Sequence, residues 1–168
     1  MANSSIIGKA KNTIIKELIK DDAIVQAIGA EEIDEPEKLV GTHIFNYHQN
    51  PNTINTVATF ITVQVHIPQS YMSSAKYVST RTYVNPTIQI YILSHEKHMV
   101  VDNVPKVTEN RNDYLSRLID NKFNGYKGLG FGELSLVYNT EGSYQKDYVF
   151  RDIVFEATDL NNSLCSIE

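Results

Sequence analysis

The residues that invite a chemical reading are a histidine pair, a glycine-rich run, scattered carboxylates, one cysteine and an excess of tyrosine. His95 and His98 stand three apart in Ser94-His95-Glu96-Lys97-His98. Imidazoles commonly ligate divalent metals, so the spacing suggests a metal pair. The match ends there: the run is not His-Glu-x-x-His, no third ligand follows at a useful spacing, and the segment closes a strand instead of lying on a helix. Both are read as exposed loop histidines, and His66 as a polar residue on the solvated or interface face of its strand. The run Gly125-Tyr126-Lys127-Gly128-Leu129-Gly130-Phe131-Gly132 is as glycine-rich as a phosphate cradle. No Gly-Lys-Ser/Thr follows it, however, and the next element is a strand, so the helix N-terminus that attracts anions is missing. Its glycines are read as turn formers.

The carboxylates Asp102, Glu109, Asp113, Asp120, Glu133, Asp152, Glu156 and Asp159 are the material from which a magnesium site would be built. Nuclease-like sites add Glu-x-Lys on an adjoining strand, and that triplet is absent from the chain. There is no Gly-x-Ser-x-Gly either, and Cys165 lies in a polar stretch without an evident base. One cysteine also rules out an internal disulfide. No catalytic, cofactor-binding or metal-ligating residue is therefore assigned, no cofactor is expected, and the chain is expected not to be an enzyme. A small metal-dependent nuclease stands as the alternative from another class, with magnesium-dependent cleavage as its test. A regulatory binding module of the host is a third, and predicts absence from purified particles.

Ten tyrosines and no tryptophan form the remaining signal. Tyr47, Tyr71, Tyr77 and Tyr83 fall in or beside loops and on the less apolar strand faces, where amphipathic rings suit protein contacts. With Phe45 they are the residues assigned to a subunit interface. Basic residues are not interleaved with these rings as a single-strand nucleic-acid platform needs. A formal charge of −5 opposes general attraction to phosphate backbones, although a surface that DNA only passes tolerates such acidity.

These residues need elements to hold them. At 168 residues the chain is expected to form one domain, with a helical region over 1–40, a sheet plus helix over 41–158 and a polar tail over 159–168. Ile7, Ala10, Ile14, Ile15, Leu18 and Ile19 recur at helical spacing; Asp21 or Asp22 caps a second short helix, and Gly29 ends it in a left-handed conformation. Glu31 to Lys38, with Pro36, is a connector. Thr42 to Pro51 is extended and has no core of its own. From Thr59 the period changes to two: Ile61, Val63, Val65 and Ile67 face one way, Phe60, Thr62, Gln64 and His66 the other, and Pro68 stops the strand.

Ser70 to Ser79 reads as a hairpin loop, and Thr82 to Leu93 as the next strand, with a bulge or edge position at Pro86. A helix fits Glu109 to Lys122: Leu115, Leu118 and Ile119 form its apolar stripe, and Arg111, Asp113, Arg117 and Asp120 cover the rest. Glu133 to Tyr138 is a strand, Glu141-Gly142-Ser143 a hairpin turn, and Tyr148 to Thr158 a strand covered on both faces. The sum is an α+β fold: a four-stranded, mainly antiparallel sheet with the N-terminal and middle helices packed on one face. No stretch approaches the roughly 20 apolar residues of a membrane span, and no secretory leader is expected.

An N-terminal helix, Thr42-His43-Ile44-Phe45-Asn46-Tyr47, Thr59-Phe60-Ile61-Thr62-Val63-Gln64-Val65, Asp113-Tyr114-Leu115-Ser116-Arg117-Leu118-Ile119, Gly128-Leu129-Gly130-Phe131-Gly132 and Ile153-Val154-Phe155-Glu156 follow one another in an order that resembles the neck and tail-completion proteins of tailed bacteriophages and prophages, most of all the tail terminator group. The likeness spans most of the chain. It implies a virion protein made in the host bacterial cytoplasm, a homo-oligomeric ring that is typically a hexamer, and partners in the tail tube protein and the head-tail connector proteins. It also implies DNA passing through without specific binding, and no enzymatic residues. A head-closure or connector protein is the nearest alternative within the same class.

Overall fold

In the computed structural model, residues 5–48, 56–66, 86–130 and 132–157 are described. The first helix, α1 (Ser5–Ile19), buries Ala10, Ile14, Ile15 and Leu18, a stripe at spacings of three and four. The second, α2 (Asp22–Ile28), begins as its sequence predicts: the Asp21 carboxylate accepts from the Ala23 and Ile24 N–H groups at 3.2 and 3.3 Å. It ends at Gly29, whose φ of 71° is the left-handed cap that glycine adopts without strain. The acidic connector contains one 3-10 turn, Pro36–Leu39, which buries Leu39.

The extended segment does lie against something. Ile44–Phe45 is a strand, β1, pairing in parallel with β2 (Thr59–His66), Ile44 opposite Ile61. β2 pairs antiparallel with β3 (Thr87–His95), Val63 opposite Ile90. Pro86 stands before β3, and its carbonyl accepts from the Ala157 N–H at 3.1 Å. The expected hairpin loop Ser70 to Ser79, the strand end at Ile67 and Pro68, and the start of the next strand at Thr82 lie outside the described residues, as does the polar tail.

The middle helix, α3 (Arg111–Phe123), is capped by the Asn110 side chain, which accepts from the Asp113 N–H at 2.9 Å. Leu115, Ile119 and Phe123 are buried, with Leu118 partly so. Arg111 departs from expectation. It does not cover the solvent side of the helix but is 1% exposed.

The last two strands, β4 (Leu134–Tyr144) and β5 (Tyr148–Ala157), are antiparallel. β4 does not end at Tyr138, and Glu141-Gly142-Ser143 is no turn: the strand runs through them and the chain reverses at 145–147, with Gln145 at φ 56°. Gly142 is needed for another reason, since it lies opposite Phe150 and beneath its ring.

The sheet is five-stranded and mixed, in the order β1-β2-β3-β5-β4, and not four-stranded. A two-residue strand is too short to show an alternation, so nothing in the hydrophobic pattern announced β1. All three helices share one hydrophobic core with one sheet face, through Ile61, Val63, Ile88, Ile90, Ile92, Ile153 and Phe155. On the other face Phe45, Ala58, Phe60, Leu93 and Tyr148 form a second cluster, joined by Tyr91, Tyr144 and Phe150. β5 is thus covered on both faces, as its sequence suggests.

Candidate functional site

The densest polar chemistry lies inside the fold, where the start of β2, the end of β3 and the start of α3 meet. Thr59 and Ser94 are 0% exposed and opposite each other in register, with hydroxyl oxygens 2.8 Å apart. Ser94 donates to Asn112 Oδ1 at 2.6 Å, and Asn112 Nδ2 donates to the Val149 carbonyl at 3.0 Å. The single Ser94 proton is thereby used, so Thr59 donates to Ser94, and the His98 Nδ1–H donates to Thr59 Oγ1 at 2.9 Å. His98 is half-buried. Its burial, and after it the charge of Arg111, hold its pKa below the ordinary histidine value, so it is neutral at neutral pH.

Arg111 ties three segments together. Its Nε donates to His98 O at 2.6 Å, Nη1 to Ala27 O at 2.7 Å and Nη2 to Val100 O at 2.7 Å. Ala27 lies in the last turn of α2, where carbonyls lack helical partners and a cation is favoured. Burial lowers the Arg111 pKa from its ordinary value, while Asp102 and Glu31 oppose that shift. A cavity of ≈ 260 Å³ opens beside it, lined by Gly29, Glu31, Glu32, His98, Asp102, Asn103 and Arg111. Its carboxylates stay wet, Asp102 being 81% exposed at 3.8 Å from Arg111. The bonds of Thr59, Ser94, Asn112 and Arg111 run within the chain, so this network joins α2, β2, β3 and α3 as a structural unit.

The two histidines of the sequence motif are therefore not exposed loop residues. His95 Nδ1 accepts from the Lys97 N–H at 3.1 Å, and its ring meets Tyr148 edge-on at 5.1 Å. Among the described residues no group of three or more His, Cys, Asp or Glu side chains is placed to hold a metal ion. Nor is any helix among them long and apolar enough to cross a membrane.

The sheet face away from the helices carries a second polar row. The imidazole Nε2 of His66 bonds Gln89 Oε1 at 2.9 Å, Gln89 Nε2 donates to both Asp152 oxygens at 2.9 and 3.0 Å, and the Tyr138 hydroxyl donates to Asp152 at 3.3 Å. That row crosses β2, β3, β5 and β4. Beside it Tyr91 stacks on Phe150 at 4.9 Å, and burial followed by the Asp152 charge raises the Tyr91 hydroxyl far above its ordinary pKa.

Of the residues assigned to a subunit interface, Phe45 is 5% exposed and packs within the chain against Phe60, ring centroids 6.3 Å apart. Tyr47 is 53% exposed and touches Phe45 edge-on at 5.5 Å. Tyr71, Tyr77 and Tyr83 lie outside the described residues. Sequence reasoning missed Thr59, Ser94, Arg111 and Asn112. Period-two and helical patterns rank residues by apolarity, so a polar residue buried among bonded neighbours carries no signal in them.

The sheet's two edges are unlike. β1 offers two residues, and Val40 already bridges to Ile44 beside it. β4 is eleven residues long; its first residues, Leu134 and Leu136, bond the segment 124–126, and a bulge between Leu136 and Tyr138 leaves Val137 and Tyr138 53% and 41% exposed.

Among known families, the one described as YomW matches residues 12–157. Comparison with curated proteins gives no match.

Proposed function

We propose that this chain, which belongs to the YomW family and is phage-associated, is a structural protein of the virion neck, of the tail terminator kind. In this reading copies of the chain assemble head to tail into a ring, typically of six, that caps the finished tail tube and meets the head connector. The ring acts by assembly and not by turnover. It is made in the host cytoplasm and ends in the particle, where acidic and polar side chains border a passage for DNA.

The observation that carries the reading is the pair of unlike sheet edges, since a contact between two different surfaces of one chain repeats head to tail and makes a ring where the rotation closes. The ordered resemblance to neck proteins and the phage-associated family support it.

Native mass spectrometry and micrographs of the purified protein test it. Annular particles, or a ring formed on adding tail tube protein, are expected. A monomer that persists alone, with tube protein and with connector protein would sink it. Cross-linking inside particles to portal-proximal protein instead of tube protein would move the chain to head closure.

A further inference from the structure

We infer that the two opposite edges of the sheet are the two halves of one contact between copies of this chain, the β4 edge of one copy seated against the β1 edge of the next. This rests on the ring reading and names its surfaces. The large hydrophobics left exposed among the described residues are Val40, Tyr47, Val57, Val100, Val137 and Tyr138. Single exposed hydrophobics are ordinary. Four of these, however, sort to the two ends of the strand order: Val40 bridges to Ile44 of β1 and Tyr47 follows β1, whereas Val137 and Tyr138 lie on β4. Val57, whose neighbours Thr56 and Ala58 bond Tyr148 and His95, and Val100, in the connection ahead of α3, fall elsewhere.

The start of β4 is already held, Leu134 by the backbone of Gly125 and Tyr126 and the Leu136 N–H by Asn124, so its open edge is the run from Tyr138 to Tyr144; such an edge is normally guarded by lysine, proline or an inward charge, because unpaired backbone groups recruit other strands. β4 carries no lysine and no proline, and Glu141 is its one charged side chain. Beyond the bulge the regular run is Tyr138 to Tyr144, with Glu141 at its middle. Two β4 edges meeting antiparallel over that run would set Glu141 against its own copy, and like charges directly opposite destabilise a strand pair. The favoured occupant is therefore an unlike surface of a second copy.

The β1 edge supplies one. Tyr47 offers its ring there, and Lys11 holds the Asn46 carbonyl at 2.8 Å, so a cation stands beside Tyr47 for Glu141 of the incoming copy. The acidic connector from Glu31 to Glu37 precedes Val40, which sets the contact toward Tyr47 and away from the connector.

A mixing experiment decides it. Val137→Arg disables one half of the contact and Tyr47→Arg the other. Each variant is expected to be monomeric by native mass spectrometry at concentrations where the wild type assembles. Mixed in equal amounts, they keep one intact pair of surfaces and are expected to form a one-to-one dimer that grows no further. Tyr138→Arg and Val40→Arg serve as a second pair if circular dichroism shows that either first variant fails to fold. Should the wild type assemble only with tail tube protein, the mixture is run with that protein present.

If the wild type and all four variants assemble alike, the surfaces are wrong while the ring stands. If the mixture stays monomeric, the two edges are not partners. A wild type that never assembles, alone or with tube and connector proteins, overturns the ring and this contact together.

Discussion

The Phe150 ring covers Gly142 on the neighbouring strand so closely that a Cβ on residue 142 would stand 2.5 Å from its Cζ. The same ring stacks on Tyr91, at 4.9 Å between centroids, so the glycine makes room for an aromatic pair spanning β3, β5 and β4. Glycine inside a strand weakens it in exchange for such an approach.

Gly142→Ala is accordingly expected to destabilise the fold, although alanine relieves the backbone-entropy cost of glycine. Overpacking of this kind costs about 1 to 3 kcal/mol. Urea denaturation measures it, and an alanine variant as stable as the wild type would show that the ring moves aside freely.

A second glycine is fixed from two directions. Gly29 adopts φ 71°, and a Cβ there would collide with Arg111 Nη1. Left-handed backbone alone costs a non-glycine residue about 1 to 2 kcal/mol. Gly29→Ala is expected to exceed that range by thermal denaturation, because it also displaces the guanidinium from Ala27 O.

Arg111→Lys tests the same joint from the other side. An ammonium cannot reproduce the planar fork that reaches the carbonyls of Ala27, His98 and Val100 at once, so at least one is left without its donor. Each unmade bond to a charged group costs about 1.5 to 3 kcal/mol. A loss well under 1 kcal/mol would mean that water replaces the guanidinium.

These positions mark the limit of what the sequence discloses. The helix stripe of Ala10, Ile14 and Leu18, the Asp21 and Gly29 caps and the alternation from Thr59 were legible because each follows from a local rule. Gly142 was not, because Glu-Gly-Ser is also good turn chemistry and only the pairing with Phe150 decides between the two. Arg111 reads as solvent-facing because arginine is seldom buried, and its carbonyl partners are distant in sequence. β1 escaped because its two residues are defined by the strand they join. The inner polar network was thus illegible, and of the expected surface residues Tyr47 alone is exposed among those described.

The capping carboxylate makes a smaller and cleaner prediction. Asp21 holds the first N–H groups of α2 and also meets Lys122 Nζ at 3.3 Å, fastening α2 to α3. Asp21→Ala is expected to cost about 1 kcal/mol, the usual worth of such a cap, whereas Asp21→Asn retains most of it. Equal losses in both variants would assign the effect to the Lys122 pair instead.

The pH dependence turns on His98. Burial and Arg111 depress its pKa in the folded chain, whereas unfolding returns it to about 6.5. A base with a depressed folded pKa binds more protons when unfolded. Stability is then complete above the unfolded value and falls as pH drops from about 6.5 toward the lower, folded one. The Gly29 backbone and, after it, Asp102 oppose this shift and His43 adds to it, but burial beside a guanidinium outweighs the opposition. His98→Gln keeps a donor for Thr59 and does not titrate, so its stability is expected to change less between pH 7 and 5.5 than that of the wild type. Denaturation midpoints across that interval supply the comparison, and parallel curves for the two proteins would place the acid sensitivity elsewhere.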